Sequence, residues 1–312
     1  GYSAAFYAAD QGYEVTLVDE RESLGGVCLQ KGCIPSKALL HIAGVMSKAR
    51  QAKAWGIKYN DPDIDLKSLC DWKNNIISEM SSGLITLCKQ RGVNFINGRG
   101  KFISSNSIKI SDNQSITFDR CIIATGSRPA IPKQFINAKP YIMDSSEALN
   151  LSVIPERMLV IGGGYIGLEM GTVYSALGSR VTVAEKMNGL LPGVDRDLVR
   201  PLYGKLTKEF NSIYLDTEVV SVKEDKCSGC VIMNTPKGKV EEAFDRILVS
   251  VGRLPNTEEI GLENTKVELD ERGFVRVDSI RQTSDPAILS IGDVAGEPML
   301  AHKASHEARV AV

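Results

Sequence analysis

Two stretches of the chain superimpose without a gap: GYSAAFYAADQGYEVTLVDE at 1–20 and GLEMGTVYSALGSRVTVAEK at 167–186. Gly1 falls on Gly167, Gly12 on Gly178, Val15-Thr16 on Val181-Thr182, and Asp19 on Glu185. Each copy reads as a helix of small residues, a glycine stop, a short valine-rich strand and a carboxylate at the strand end. A repeated helix–strand unit of this kind commits the chain to an α/β architecture built from two similar halves. With 312 residues there is length for two domains, each burying its own core.

The second copy is preceded by its strand. In RMLVIGGGYIG an apolar run over 158–161 leads into Gly162, Gly164 and Gly167, a G-x-G-x-x-G spacing. That spacing alone is a weak signal. Here it follows a strand, opens a helix and is trailed by an acid, which makes it specific. Gly162 permits the tight turn, Gly164 lets a diphosphate approach the backbone, and Gly167 lets the helix lie on the sheet. The helix N-terminus then offers unpaired N–H groups to the phosphates. Glu185 can accept hydrogen bonds from both ribose hydroxyls but would repel a 2'-phosphate, which favours NAD over NADP.

The first copy starts on its helix, so Gly1 reads as the last glycine of a first fingerprint whose strand and leading glycines are not among these residues. Asp19 then serves the ribose of a second nucleotide. Two dinucleotide sites on one chain imply that electrons pass between cofactors, one a nicotinamide and the other a flavin. The expected fold is two Rossmann-like domains, with the NAD domain (149–280) inserted into an FAD domain formed by 1–148 and 281–312. Helical spacing covers 36–55 and 66–92, and short strands fill 93–129. The apolar run before Gly292-Asp293 is expected to return to the first sheet.

Composition excludes other classes. The formal charge is −1, from 37 basic and 38 acidic residues mixed along the chain, so no basic face selects nucleic acid. No apolar run approaches the length that spans a bilayer. Seven cysteines are too few and too odd in number for a secreted disulfide scaffold. A reducing cytoplasm is the expected setting.

In that setting GGVCLQKGCIPSK stands out, with Cys28 and Cys33 five positions apart. Residues i and i+5 of a regular helix lie about 8 to 9 Å apart, beyond the ~4.4–6.8 Å that a disulfide wants between Cα atoms. Gly32 could absorb the distortion. A plain loop clasp would contribute about 2 kcal/mol. Persistent disulfides in reducing compartments, however, are usually catalytic or redox-sensing. The pair also follows the first nucleotide unit within one short connection, which places the thiols beside whatever that unit holds.

Taken in order, GGVCLQKGCIPSKALLH, IATGSRP, GGGYIGLEMG, VGRLPN and IGDVAGEPMLAHKASHE resemble the pyridine nucleotide-disulfide oxidoreductases along essentially the whole chain. Among these, Glu185 and Ser36-Lys37 stand where glutathione reductases carry ribose-binding arginines and a second lysine. The resemblance implies oxidation of dihydrolipoyl groups by NAD+, with FAD as the intermediate carrier. It makes Cys28 the interchange thiol and Cys33 the thiol facing the flavin, with Lys37 paired to Glu169. It also implies FAD contacts at Gly1, Asp19, Gly26, Lys37, Gly100, Gly126, Asp293 and Ala301. NAD contacts fall at Gly162, Gly164, Ile166, Glu185, Val219, Gly252 and Arg253. The implied partners are lipoyl domains of 2-oxo acid dehydrogenase complexes or of the glycine cleavage system, in a homodimer. The family's interface domain, with its acid–base His-Glu pair, lies beyond Val312. Rival readings are another disulfide or mercuric reductase, or a catalytically silent nucleotide-binding fragment.

Tyr165 reads either as a lid over the nicotinamide or as packing at a helix start. CSGC at 227–230 reads as an exposed turn rather than a metal or redox site, since no second pair completes a tetrad. No metal is expected. Cys70, Cys88 and Cys121 read as buried fillers. His302 and His306 read as packing near the cofactor.

Overall fold

Small side chains on the first repeat let one helix serve two neighbours. The structure is a computed structural model that describes residues 1–60, 62–138, 140–225 and 228–312. These form two compact units: residues 1–30, 77–128 and 253–312 make one, and residues 31–76 and 129–252 the other. In the first unit, helix α1 (Tyr2–Asp10) is followed by strand β1 (Thr16–Asp19) and helix α2 (Gly26–Lys31). β1 pairs in parallel with β2 (Asn94–Asn97). On that side Ala5 of α1 packs with Leu24, Cys88 and Val93. On its other side Ala4 packs with Ile291 and Ala308.

The same unit contains an antiparallel meander, β3 (Lys101–Ser104), β4 (Ser107–Ser111) and β5 (Gln114–Thr117). Strand β6 (Cys121–Ile123) is followed by β7 (Ser127–Pro129). Residues 253–280 belong to this unit too, because Ile260, Leu262 and Val275 share a core with Phe102, Ile123 and Ile288. This segment of the compact unit begins at Arg253 and includes position 280, the expected end of the nicotinamide domain. The returning strand β17 (Ile288–Ser290) pairs in parallel with β6, as the apolar run before Gly292 suggested. Helix α8 (Ala301–Ala311) closes the unit.

The second unit contains helix α3 (Cys33–Gln51) and the start of the long α4 (Leu66–Gln90). After β8 (Ile142–Met143) comes the short α5 (Ser145–Leu149), begun by an Asp144 capping box. The repeat unit follows as β9 (Arg157–Ile161), α6 (Tyr165–Ala176) and β10 (Arg180–Ala184). Helix α7 (Arg196–Glu209), β11 (Ser212–Tyr214), a meander of β12 (Glu218–Asp225), β13 (Ser228–Thr235) and β14 (Gly238–Phe244), and β15 (Arg246–Val249) complete it. β16 (Arg253–Pro255) then re-enters the first unit.

Met158, Leu159 and Val160 are fully buried. A run of consecutive apolar residues demands a strand covered on both faces, which a parallel sheet provides. β9 is the middle of a five-stranded parallel sheet ordered β11-β10-β9-β15-β8. Leu39, Leu168, Met170, Val173 and Tyr174 cover one face. Val222, Val231, Met233 and Phe244 of the meander cover the other.

The remaining cysteines are placed individually. Cys88 is buried, and burial pushes the Cys121 thiol up to about 12, so both remain neutral. Cys70 is only half-buried and its sulfur donates to the Asn150 carbonyl at 3.4 Å. Cys230 lies within β13, not in a turn, because its strand pairs on both sides, and its Sγ bonds Glu241 Oε1 at 3.0 Å. Cys227 lies outside the described residues.

Candidate dinucleotide and thiol sites

Strand order reverses beside β9: the chain goes from β9 to β10 and β11 on one side, while β15 lies on the other. Ligands of open α/β sheets bind at such a switch point, beyond the carboxyl ends of the strands. Gly162 stands there with φ 101, and a Cβ on it would meet the Ser250 carbonyl at 2.5 Å. A Cβ at Gly167 would strike the Gly162 carbonyl oxygen, Ser250 Oγ (2.6 Å) and Val160 Cγ1 (2.8 Å), so this glycine sets the distance of α6 from the sheet. Gly164 differs from both. Its φ is −77 and nothing lies within 4 Å of where a Cβ would stand. The open space sits at the N-terminus of a helix whose N-cap makes no side-chain hydrogen bond, so N–H groups and dipole favour an anion there. The turn therefore fits a diphosphate.

Glu185, at the end of β10, is buried. Its Oε2 accepts the Gly163 N–H at 2.5 Å and its Oε1 the Met187 N–H at 2.7 Å. Each oxygen keeps a lone pair for a ribose hydroxyl. Of the other residues expected here, Ile166 is half-buried, Val219 turns into the core of its unit, and Gly252 has φ 139. Tyr165 is 53% exposed at the start of α6.

Arg253 begins β16. It belongs to the first unit, where Nε donates to Ser127 Oγ and Nη2 to the Ser127 carbonyl, both at 2.7 Å. The Ser127 hydroxyl in turn donates to Asp293 Oδ2 at 2.5 Å. Its guanidinium thus joins the Ser127–Asp293 group.

Around Asp293 the sequence reading missed a buried ionic cluster. Glu307 accepts the Gly292 N–H (2.7 Å), Arg281 Nη1 (2.8 Å) and Lys303 Nζ (3.2 Å). Lys303 also donates to the carbonyls of Gly292 (3.0 Å) and Gly296 (2.8 Å), so both ends of the Asp293 turn are fixed. Only the i,i+4 spacing of Lys303 and Glu307 signalled this. His302 and His306 are exposed, not packed, because α8 turns Glu307 and Ala308 inward instead. Elsewhere in this unit, Asp19 accepts the Arg21 N–H at 3.0 Å, Gly26 opens α2 with φ 63, and Gly126 has φ 73. A Cβ at Gly100 would stand 3.1 Å from Ile108, Gly1 precedes α1, and Ala301 begins α8 exposed.

The thiols sit on different helices. Cys28 is half-buried in α2, and Cys33 is exposed as the first residue of α3 after Gly32. The break at Gly32 removes the geometric objection that a single regular helix would raise. One turn along α3, Lys37 Nζ meets Glu169 Oε1 of α6 at 2.7 Å, the ion pair expected from the resemblance.

These features define a Rossmann-type α/β protein with two thiols on consecutive helices. The chain belongs to the pyridine nucleotide-disulphide oxidoreductases, whose defining sequence pattern matches residues 1–308. It is 43% identical, over 316 aligned positions, to the dihydrolipoyl dehydrogenase of Vibrio parahaemolyticus. It is 41% identical, over 315 positions, to that of Haemophilus influenzae. All of this chain is covered in both cases, and it spans 66% of each relative's length. Among solved structures it resembles the HOCl-induced flavoprotein disulfide reductase RclA from Escherichia coli, with a TM-score of 0.85 and 26% identity, covering 99% of this chain and 67% of that one.

Proposed function

We propose that this chain comes from a dihydrolipoyl dehydrogenase, which oxidises dihydrolipoyl groups and reduces NAD+ through FAD and the Cys28–Cys33 pair. The identity of 43% along the entire chain to a protein of that name carries the reading. The open space at Gly164, the Glu185 carboxylate and the Lys37–Glu169 pair support it. FAD, when bound, supplies the carrier between the dithiol and NAD+. Gly1, Asp19, Gly26, Lys37, Gly100, Gly126, Asp293 and Ala301 are the residues proposed to hold it. Gly162, Gly164, Ile166, Glu185, Val219, Gly252 and Arg253 are proposed for NAD+.

A substrate thiolate attacks Cys28 Sγ of the oxidised pair, the S–S bond breaks, and Cys33 departs as a thiolate at the start of α3. The second substrate thiol then attacks the mixed disulfide, releasing Cys28 and the cyclic lipoyl product. The electron pair left on the two cysteines reduces NAD+ to NADH as their disulfide re-forms, and one proton is released. Lipoyl domains of 2-oxo acid dehydrogenase complexes or of the glycine cleavage system are the proposed partners of a cytoplasmic homodimer. The likeness to RclA favours, as a second reading, reduction of a different disulfide.

The test is an anaerobic titration of the purified protein with NADH, followed by thiol labelling. A yellow protein bleached by NADH, with two new thiols at Cys28 and Cys33, is expected. A colourless protein, or one gaining no thiols, refutes the reading; turnover with dihydrolipoamide separates it from the second.

A further inference from the structure

Arg196 is the first residue of α7, a position where a cation opposes the helix dipole. Asp195 before it makes no side-chain capping bond. The guanidinium turns back instead. Nη1 donates to the Leu190 carbonyl (2.8 Å), Nη2 to those of Leu191 and Val194 (both 2.6 Å), and Nε to Val194 again (3.0 Å). A Cβ at Gly189 would stand 2.6 Å from Nη1, so a glycine there leaves room for the side chain. A planar fork with several donors is what such multiple attachment requires, and a lysine could not reproduce it.

The stretch so gathered, 187–195, lies against the glycine turn. The Leu191 N–H donates to the Gly163 carbonyl at 2.9 Å. Leu190 is fully buried, and its Cδ2 is 2.6 Å from where a Cβ on Gly163 would be. From the opposite side Glu185 accepts the Gly163 N–H. One residue, Gly163, two positions before α6, is therefore held at its N–H, its carbonyl and its Cα face.

We propose that Arg196 is a positioning residue of the dinucleotide site. It fixes 187–195, and through Leu190 and Leu191 the Gly163 peptide, so that the amides around Gly164 are aimed before NAD+ arrives. Preorganised donors bind more tightly because the ordering cost is met during folding. This rests on the dinucleotide reading above.

The test uses ADP-ribose, which carries the adenosine and diphosphate without nicotinamide, titrated calorimetrically into the FAD-loaded protein. Arg196→Ala weakens binding roughly tenfold and Arg196→Lys roughly threefold, the net effect of losing several hydrogen bonds at a partly exposed site. FAD content and kcat stay at parental values while KM for NAD+ rises. Parental ADP-ribose affinity in Arg196→Ala, even with a lowered Tm, overturns the proposal by reducing Arg196 to a loop staple. If Arg196→Ala does not fold, Arg196→Lys carries the test, and unchanged affinity overturns it equally. A parent protein that binds no ADP-ribose overturns the dinucleotide reading itself, and the proposal with it.

Discussion

Replacing Gly167 with alanine adds one methyl group at the closest approach of α6 to the sheet. Val160 Cγ1 and Ser250 Oγ lie 2.8 and 2.6 Å from the added Cβ, and the Gly162 carbonyl oxygen is nearer still. Ordinary contact between carbon atoms begins at about 3.5 Å, so the helix must retreat by roughly 1 Å or the turn must deform. The Ser250 hydroxyl can rotate. The Gly162 carbonyl cannot, because it belongs to the turn itself. Overpacking of this kind costs about 1–3 kcal/mol, and the upper end applies where backbone is struck. Alanine's better helix propensity returns about 1 kcal/mol. The net loss is about 2 kcal/mol, or a Tm lower by roughly 4 to 8 °C for a unit of this size. Gly164→Ala is the control, since its site is open: stability falls by only about 0.5–1 kcal/mol, the preference of an N-cap for glycine over alanine, while the methyl blocks the diphosphate and NADH affinity falls. Thermal unfolding and NADH titration of both variants check this. A Gly167→Ala protein that melts with the parent, or a Gly164→Ala protein that binds NADH normally, would refute the assignment of the two glycines.

Two further predictions come from the ends of α5. Asp144→Ala removes a carboxylate that accepts the Ser146 and Glu147 N–H groups at 2.7 and 2.8 Å, and should lower unfolding free energy by about 1 kcal/mol in urea titration. Lys73 donates to the Leu149 carbonyl at 2.7 Å, and burial holds its ammonium below the ordinary lysine value of 10.5, with Cys70 acting weakly in the other direction. The unfolded chain then binds the proton more tightly than the folded one, so stability rises as pH climbs from the folded value toward 10.5. Relative to Lys73→Met, the parent should gain stability over the alkaline range, and a difference that stays flat with pH would contradict the burial argument.

The parts of the fold legible in sequence were those encoded locally. Period, glycine spacing and a terminal carboxylate marked β9, α6 and β10, because each depends on residues within a few positions. The Lys37–Glu169 contact was legible only through the resemblance, since the two positions are far apart in the chain. Arg253 shows the limit. VGRLPN continues directly from the nicotinamide unit, yet the guanidinium meets Ser127, and only the folded chain reveals which carbonyl and hydroxyl lie within reach. His306 reads as packing and its neighbour Glu307 as unremarkable charge, but helix phase buries the acid next to Arg281 and exposes the histidine. Arg196 carries no signal in the sequence because its partners are backbone carbonyls, which have no residue identity for a sequence to display.

The second unit closes on itself at its entrance and exit, where the Ala130 N–H donates to the Gly252 carbonyl at 3.0 Å. For the β6–β17 pairing, that single bond has a kinetic meaning. Loop closure entropy grows with the logarithm of length, and a folded insertion whose ends touch shrinks the stretch to be looped from about 160 residues to about 40, saving about 1 kcal/mol. A long interruption thus behaves, once folded, like a short hairpin connection, and the host sheet can zip as though most of the intervening chain were not there.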